Sequence, residues 1–189
     1  MNALDLLQQR HSIPAMQLGE PGPDAAELDR LLSAALRVPD HGKLTPWRLL
    51  LLAGEQRREF GRRLALMAIE KQPDLPETKR AKDRQRYEHA PLVIAVIAHI
   101  DTAHARIPAQ EQLLSAGCVA YNLLLGAEAL GFGAQWLTGW AAYDRDAATL
   151  LGLAENEHVI GFIHIGTPAM QPPDRERPAI ADKVSRWTA

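Results

Sequence analysis

Eight consecutive residues, Pro91-Leu92-Val93-Ile94-Ala95-Val96-Ile97-Ala98, carry no polar side chain. Successive side chains of a strand point to opposite faces, so a strand that is apolar at every position has both faces covered. The run is far shorter than the ~20 residues that cross a bilayer. It predicts a strand at the centre of its sheet, with helices as cover.

Other strands are read at Trp47 to Ala53, as a buried strand, at Ala134 to Thr138 and at Val159 to Gly166. Asn2 caps a short helix through Arg10, with Leu4, Leu7 and Leu6 as its inward residues. Asp24 and Glu27 have capping-box spacing ahead of Leu28, Leu31, Leu32, Ala35 and Leu36, and Pro39 predicts the end of that helix near Arg37. Further helices are read from Glu55 to about Lys71, within the polar stretch Gln72 to Glu88, and from Asp144 to Leu151. The longest runs from about Ala109 to Leu130, apolar nearly all round from Leu113 onward and rich in small residues. That pattern suits either a subunit interface or the central core helix of a monomer. Strands separated by helices without a repeating unit predict an α+β fold, a mixed sheet with helical cover. After Thr167 the chain has four prolines and few apolar residues, which reads as a disordered tail or an arm that wraps something else.

At 189 residues the chain suits one domain with a real core. With 21 basic against 23 acidic side chains, no basic excess points to nucleic acid. Arg57, Arg58, Arg62 and Arg63 share a predicted helix with Glu55, Glu59 and Glu70 and read as a solvated face. The single cysteine, Cys118, rules out an intrachain disulfide and a zinc site of several thiolates. Neither a secretory signal nor a membrane span is legible, and a cytoplasmic protein is expected.

Several chemistries fail on the residues. Gly131-Phe132-Gly133 follows a helix and precedes a strand, the reverse of a dinucleotide-binding loop, and reads as a helix stop. His99, Asp101 and His104 lack a further ligand cluster, so no metal site is assigned, and His89, His158 and His164 read as half-buried or surface histidines. Ser12, His41 and Asp40 do not make a hydrolase relay, since adjacent Asp and His side chains cannot set the acid behind the ring. A phosphorylated flavin uses the residues better. Arg10 with Ser12 offers a guanidinium and a hydroxyl for a phosphate. Arg37, His41 and Lys43 are cations for the ring, with Trp47 and Trp136 as walls of its slot.

At these residues the chain resembles the nitroreductase family of FMN-dependent flavoproteins, most closely its short members of the YdjA type. The matching pieces are Leu7-x-x-Arg10-His11-Ser12, the Ala35 to Trp47 segment, Ser115-Ala116-Gly117-Cys118, Gly131 to Gly139, and Gly161 to Pro168. The resemblance implies a mainly antiparallel sheet covered by helices in an interlocked homodimer. It further implies FMN at the subunit interface, NADH or NADPH as reductant, and a nitroaromatic, quinone or similar small acceptor reduced in a ping-pong cycle. Residues 1–171 would form the single FMN-binding domain, and 172–189 an arm on the partner subunit.

Carried over residue by residue, Arg10, His11 and Ser12 take the phosphate and ribityl chain. Arg37 and His41 approach the cofactor from the partner. Trp136, Leu137 and Thr138 follow the flavin edge, and Arg175 or Arg177 helps with the phosphate. Gly126, Ala127, Glu128, Ala129, Leu130 and Gly131 match a stretch tied to nicotinamide use. No side chain is assigned as catalytic. Where many members of the family have Ser and Asn with Gln-Pro-Trp, this chain has Asp40-His41-Gly42-Lys43-Leu44-Thr45-Pro46-Trp47, so the chemistry beside the flavin differs. The alternative is a flavin-binding or flavin-handling protein without turnover of NAD(P)H.

Overall fold

The computed structural model describes residues 2–188, the side chain of Asp83 excepted. The apolar run is the central strand, β3 (Leu92–His99), buried from Leu92 through Ala98. Antiparallel to it lie β2 (Trp47–Ala53) on one side and β5 (Glu157–Pro168) on the other. The far side of β5 is shared by β4 (Gly133–Leu137), opposite Phe162 to Gly166, and by the two-residue β1 (Leu18–Gly19), opposite Thr167 and Pro168. The fold is α+β as expected, but all four pairings among the described residues are antiparallel, so the sheet is not mixed: no crossover returns a strand parallel to its neighbour.

Each sheet face packs its own helices. On one, Leu92, Ile94, Val96, Ile163 and Ile165 meet Leu31 and Ala35 of α2 (Ala25–Ala35) and Val119, Leu123 and Ala127 of α5 (Ala109–Ala129). On the other, Val93, Ala95, Ile97 and Phe162 meet Phe60 and Leu64 of α3 (Gly54–Lys71), Tyr87 just after α4 (Glu77–Arg86), and Ala147 of α6 (Arg145–Leu150). The capping signals act as read. Asn2 with Asp5 closes a box on α1 (Ala3–Gln9), and Asp24 with Glu27 closes one on α2. Gly131, at φ +88°, ends α5 in a Schellman motif: its amide donates to the Glu128 carbonyl and the Phe132 amide to the Ala127 carbonyl.

Several expectations are corrected. β2 is an edge strand with Leu51 exposed, because it pairs with β3 alone. Leu4 and Leu7 of α1 face outward; this seven-residue helix buries none of its residues. α5 is buried along one side and open along another, where Leu113, Leu114, Cys118 and Tyr121 are exposed. Arg58, Arg62 and Arg63 do make a solvated face with Glu55 and Glu59, but Arg57 turns inward and donates to the Tyr87 carbonyl at 2.7 Å. His164 is fully buried, since its position on β5, opposite Val93 and Gln135, puts it under Tyr87. The tail holds one 3-10 turn, Ile180–Asp182, and leaves Ile180, Val184 and Trp187 exposed. No helix of the described residues is long and apolar enough to cross a membrane.

Candidate functional site

Beyond the end of α1 the chain turns to run beside β4. The Ile13 amide donates to the Ala134 carbonyl at 3.0 Å and the Ala15 amide to Gln135 Oε1 at 2.6 Å. That anchoring places Arg10, His11 and Ser12 just past the Gly133 end of the strand. Arg10 Nη1 donates to Ser12 Oγ at 3.3 Å.

The tail returns to the same place. Arg177 Nη2 donates to the Arg10 carbonyl at 3.5 Å and to Asp174 Oδ1 at 3.1 Å, and Asp174 Oδ1 lies 3.3 Å from His11 Nε2. The Arg175 amide, bonded to the Asp174 carboxylate at 2.8 Å, holds that group below its ordinary range, with Arg177 acting in the same sense. Arg10, His11, Ser12, Arg175 and Arg177 thereby line one hollow of about 160 Å³. Three guanidiniums, an imidazole and a hydroxyl around so small a space form the donor set that a phosphate monoester takes. The residues present fit the phosphate of FMN.

A second cavity of about 420 Å³ shares His11 and runs past Ile13, Glu128 and Gly131. Burial raises Glu128 above its ordinary range, opposed by the charge of Arg10 and the amide of His11. Within the Gly126 to Gly131 stretch, Gly126 and Ala127 serve packing. A Cβ at Gly126 would lie 2.6 Å from Leu31 Cδ1, and Ala127 is fully buried.

β4 leads away from the hollow. Because Ala134 presents its carbonyl away from β5, strand alternation puts the backbone of Trp136 on that same outer edge. The Trp136 indole is not a free wall. It lies over Gly161 and donates to the Ile160 carbonyl at 3.1 Å, within the core on the α5 side. Gly139 follows at φ +63° and ψ −173°, a conformation open to glycine, and the Arg86 guanidinium packs against it where a side chain would stand. Sequence reading missed Arg86. Its signal was the density of basic residues in the polar stretch before Tyr87.

The Ala35 to Trp47 segment lies elsewhere. Pro39 accepts from Ser115 Oγ at 2.8 Å, the Arg37 carbonyl accepts from Asn122 Nδ2 at 3.2 Å, and His41 Nδ1 lies 2.6 Å from Glu111 Oε2. Gly42, Lys43 and Thr45 all take positive φ, an unfavourable conformation for a β-branched residue. The Asp40 carboxylate pins the loop by accepting from the amides of Leu44 and Thr45 at 3.1 and 2.9 Å. The Arg37 side chain is exposed. Glu111 beside His41 and Glu128 beside His11 are 17 residues apart on α5, roughly 25 Å at 1.5 Å per residue. Within one chain, then, His41 and the Arg10 hollow sit toward opposite ends of the longest helix.

Among the described residues no group of three or more His, Cys, Asp or Glu is placed to hold a metal. His104 Nδ1 instead accepts from the amides of Arg106 and Ile107, and His99 bonds Asn156.

Comparison with known proteins identifies the family and the fold. The model of the nitroreductase family matches residues 7–167. The chain is 38% identical over 176 residues to a Haemophilus influenzae protein named "Putative NAD(P)H nitroreductase", covering 93% of each chain. It is 34% identical over 171 residues to "Putative NAD(P)H nitroreductase YdjA" of Escherichia coli K12, covering 90% of this chain and 91% of that one. Among solved structures, a nitroreductase-like family protein from Bacillus cereus superposes with a TM-score of 0.82 at 23% identity, over 98% of this chain and 95% of that one. A Desulfovibrio desulfuricans structure described as a putative nitroreductase in complex with FMN gives 0.76 at 19% identity, over 100% and 99%. The chain belongs to the nitroreductase family.

Proposed function

We propose that this chain is an FMN-dependent oxidoreductase that takes hydride from NADH or NADPH and reduces a nitroaromatic, quinone or similar small acceptor. The observation that carries this reading is the convergence of Arg10, Ser12, Arg175 and Arg177, from opposite ends of the chain, on one small hollow. The names of the relatives and the FMN in the Desulfovibrio complex support it. When bound, FMN supplies the two-electron carrier that couples the two half-reactions in a ping-pong cycle.

The chain's own residues bind and orient. Arg10, His11 and Ser12, with Arg175 and Arg177, hold the phosphate. The backbone of Trp136, which faces away from β5, and that of Thr138 provide bonds for the polar edge of the ring, Leu137 between them turns its own backbone to Phe162 of β5, and Arg86 sets a positive charge at the end of that run. Of the Gly126 to Gly131 stretch, Glu128 and Gly131 line the neighbouring cavity, which supports a ligand-contacting role for these two. Arg37 and His41 serve the site of a second copy, because α5 holds them so far from the hollow of their own chain. A homodimer also gives cover to the open stripe of α5, and the arm from residue 172 onward carries Ile180, Val184 and Trp187 onto the partner. No side chain is assigned as an acid or a base.

The test is anaerobic addition of NADH and of NADPH to the flavin-loaded protein. Bleaching of the flavin absorbance by at least one of them is expected. Persistence of the oxidised spectrum with both overturns the oxidoreductase reading and leaves a flavin-binding or flavin-handling protein.

A further inference from the structure

The chain carries a net charge of −2, yet α4, running Glu77-Thr78-Lys79-Arg80-Ala81-Lys82-Asp83-Arg84-Gln85-Arg86, holds five basic residues against two acidic ones. Several of the five are engaged locally. Arg80 donates to the Pro73 carbonyl at 2.6 Å, and Arg84 lies 3.5 Å from Glu88. Lys79, Lys82 and Arg86 line a cleft of about 480 Å³ between α4, the end of α3 and Trp140, with Leu75 as part of its apolar wall. Lys71 on the same cleft is paired with two carboxylates, Asp144 at 3.1 Å and Asp146 at 2.5 Å, and so offers the cleft no net positive charge. Lys79 and Lys82 have no ion pair among the described residues. Two ammonium groups without a described ion pair, in a concave, partly apolar site, attract an oxyanion.

The position of the cleft relates it to the site already described. Arg86 packs against Gly139, which follows directly on Trp136-Leu137-Thr138. Along the helix axis Lys82 and Lys79 lie roughly 6 and 10 Å from Arg86, at 1.5 Å per residue. A ligand that reached the Thr138 end of β4 would find successive cations leading away from it.

We propose that this cleft is a second oxyanion site, separate from the Arg10 hollow, that takes a phosphate or carboxylate of the small molecule exchanging electrons with the flavin. The placement beside the flavin rests on the function proposed above; the binding of an oxyanion does not. The group belongs either to the nicotinamide dinucleotide or to an acidic acceptor, and the half-reactions separate the two.

Inorganic pyrophosphate is titrated by calorimetry into FMN-saturated wild type and into the double variant Lys79→Ala, Lys82→Ala. Both lysines are exposed and the Arg10 hollow is the same in both proteins. The variant is expected to bind at least about tenfold more weakly, the effect of losing one or more charge-assisted bonds. Equal affinity, or binding by neither, overturns the oxyanion site whether or not the protein proves to be a flavoprotein. The same pair is then followed through the two half-reactions. If the oxyanion belongs to the dinucleotide, the NADPH concentration for half-maximal rate of bleaching rises about tenfold or more, and reoxidation by 4-nitrobenzoate is unchanged. If it belongs to the acceptor, reoxidation by 4-nitrobenzoate slows while nitrobenzene and bleaching are unaffected. Pyrophosphate binding with neither half-reaction shifted overturns the placement beside the flavin.

Discussion

His164 makes the stability of this protein depend on pH in a way that a single substitution removes. Its side chain is fully buried between Val93 and Gln135, its ring centroid lies 5.4 Å from that of Tyr87, and neither ring nitrogen has a hydrogen-bond partner among the described residues. Burial, reinforced by the charges of Arg86 and Arg57, pushes its pKa down from 6.5 to about 3. The native state therefore keeps the ring neutral while the unfolded chain protonates it below 6.5. The contribution is fully present above that pH and is lost as pH falls toward 3. Lowering the pH from 7 to 4.5 removes roughly 3 kcal/mol from this residue alone, at about 1.4 kcal/mol per unit below 6.5. His164→Leu, close in volume, abolishes the titration and two unpaired buried nitrogens. Urea unfolding of both proteins at pH 7 and 4.5, at one protein concentration, gives the double difference. Glu157 titrates below this window and is common to both proteins. Wild type is expected to lose roughly 3 kcal/mol more than the variant. An equal loss would mean that His164 is solvated or paired in solution, and would refute its placement.

Three further outcomes follow from particular contacts. Glu157 accepts from Arg48 Nε and Nη2 at 2.6 and 2.8 Å and from the Ala154 amide, and the Arg48 bond holds its carboxyl at a pKa of about 2. Its stabilisation is present above the ordinary carboxylate pKa and lost as pH falls toward 2; Glu157→Gln should cost about 1–3 kcal/mol at pH 7 by denaturant unfolding, the gap narrowing in acid. A Cβ at Gly166 would lie 2.6 Å from Pro91 Cδ and 2.8 Å from the Gly19 carbonyl oxygen, so Gly166→Ala should lower the melting temperature by several degrees, as overpacking of about 1–3 kcal/mol does in a chain of this size. Leu114→Asp puts a charge on the open stripe of α5, and light scattering should show the variant as a monomer where wild type is a dimer; identical masses would sink the proposed interface.

Much of the fold was legible because its signals are local. The apolar run at β3, the capping boxes at Asn2 and Asp24 and the glycine stop at Gly131 are set by residues within a turn or two of each other. What was not legible depends on neighbours remote in sequence. β2 and β3 are both apolar runs, and only the pairing order makes one an edge and the other a centre. His164 looks like any strand histidine until Tyr87, some 77 positions earlier, is laid over it. β1 has two residues and no signal of its own. At the site, Arg10 with Ser12 was readable as a phosphate pair, and the tail arginines were identified only as alternatives. The fold brings both into the hollow. Arg86 was hidden because a basic helix face is ordinarily solvated, and its contact with Gly139 is tertiary.

Arg10, His11 and Ser12 with Arg175 and Arg177 are proposed as a phosphate cradle for a flavin. Measuring the affinities of wild type and Arg10→Ala for FMN and for riboflavin, which lacks the phosphate, addresses that role directly. Wild type should bind FMN at least about tenfold more tightly than riboflavin, and Arg10→Ala should weaken FMN by the ~1.5–3 kcal/mol of a hydrogen bond to a charged group while leaving riboflavin unchanged. Equal affinities of wild type for the two flavins, or an Arg10→Ala variant that retains FMN undiminished, would mean that the hollow does not hold the flavin phosphate.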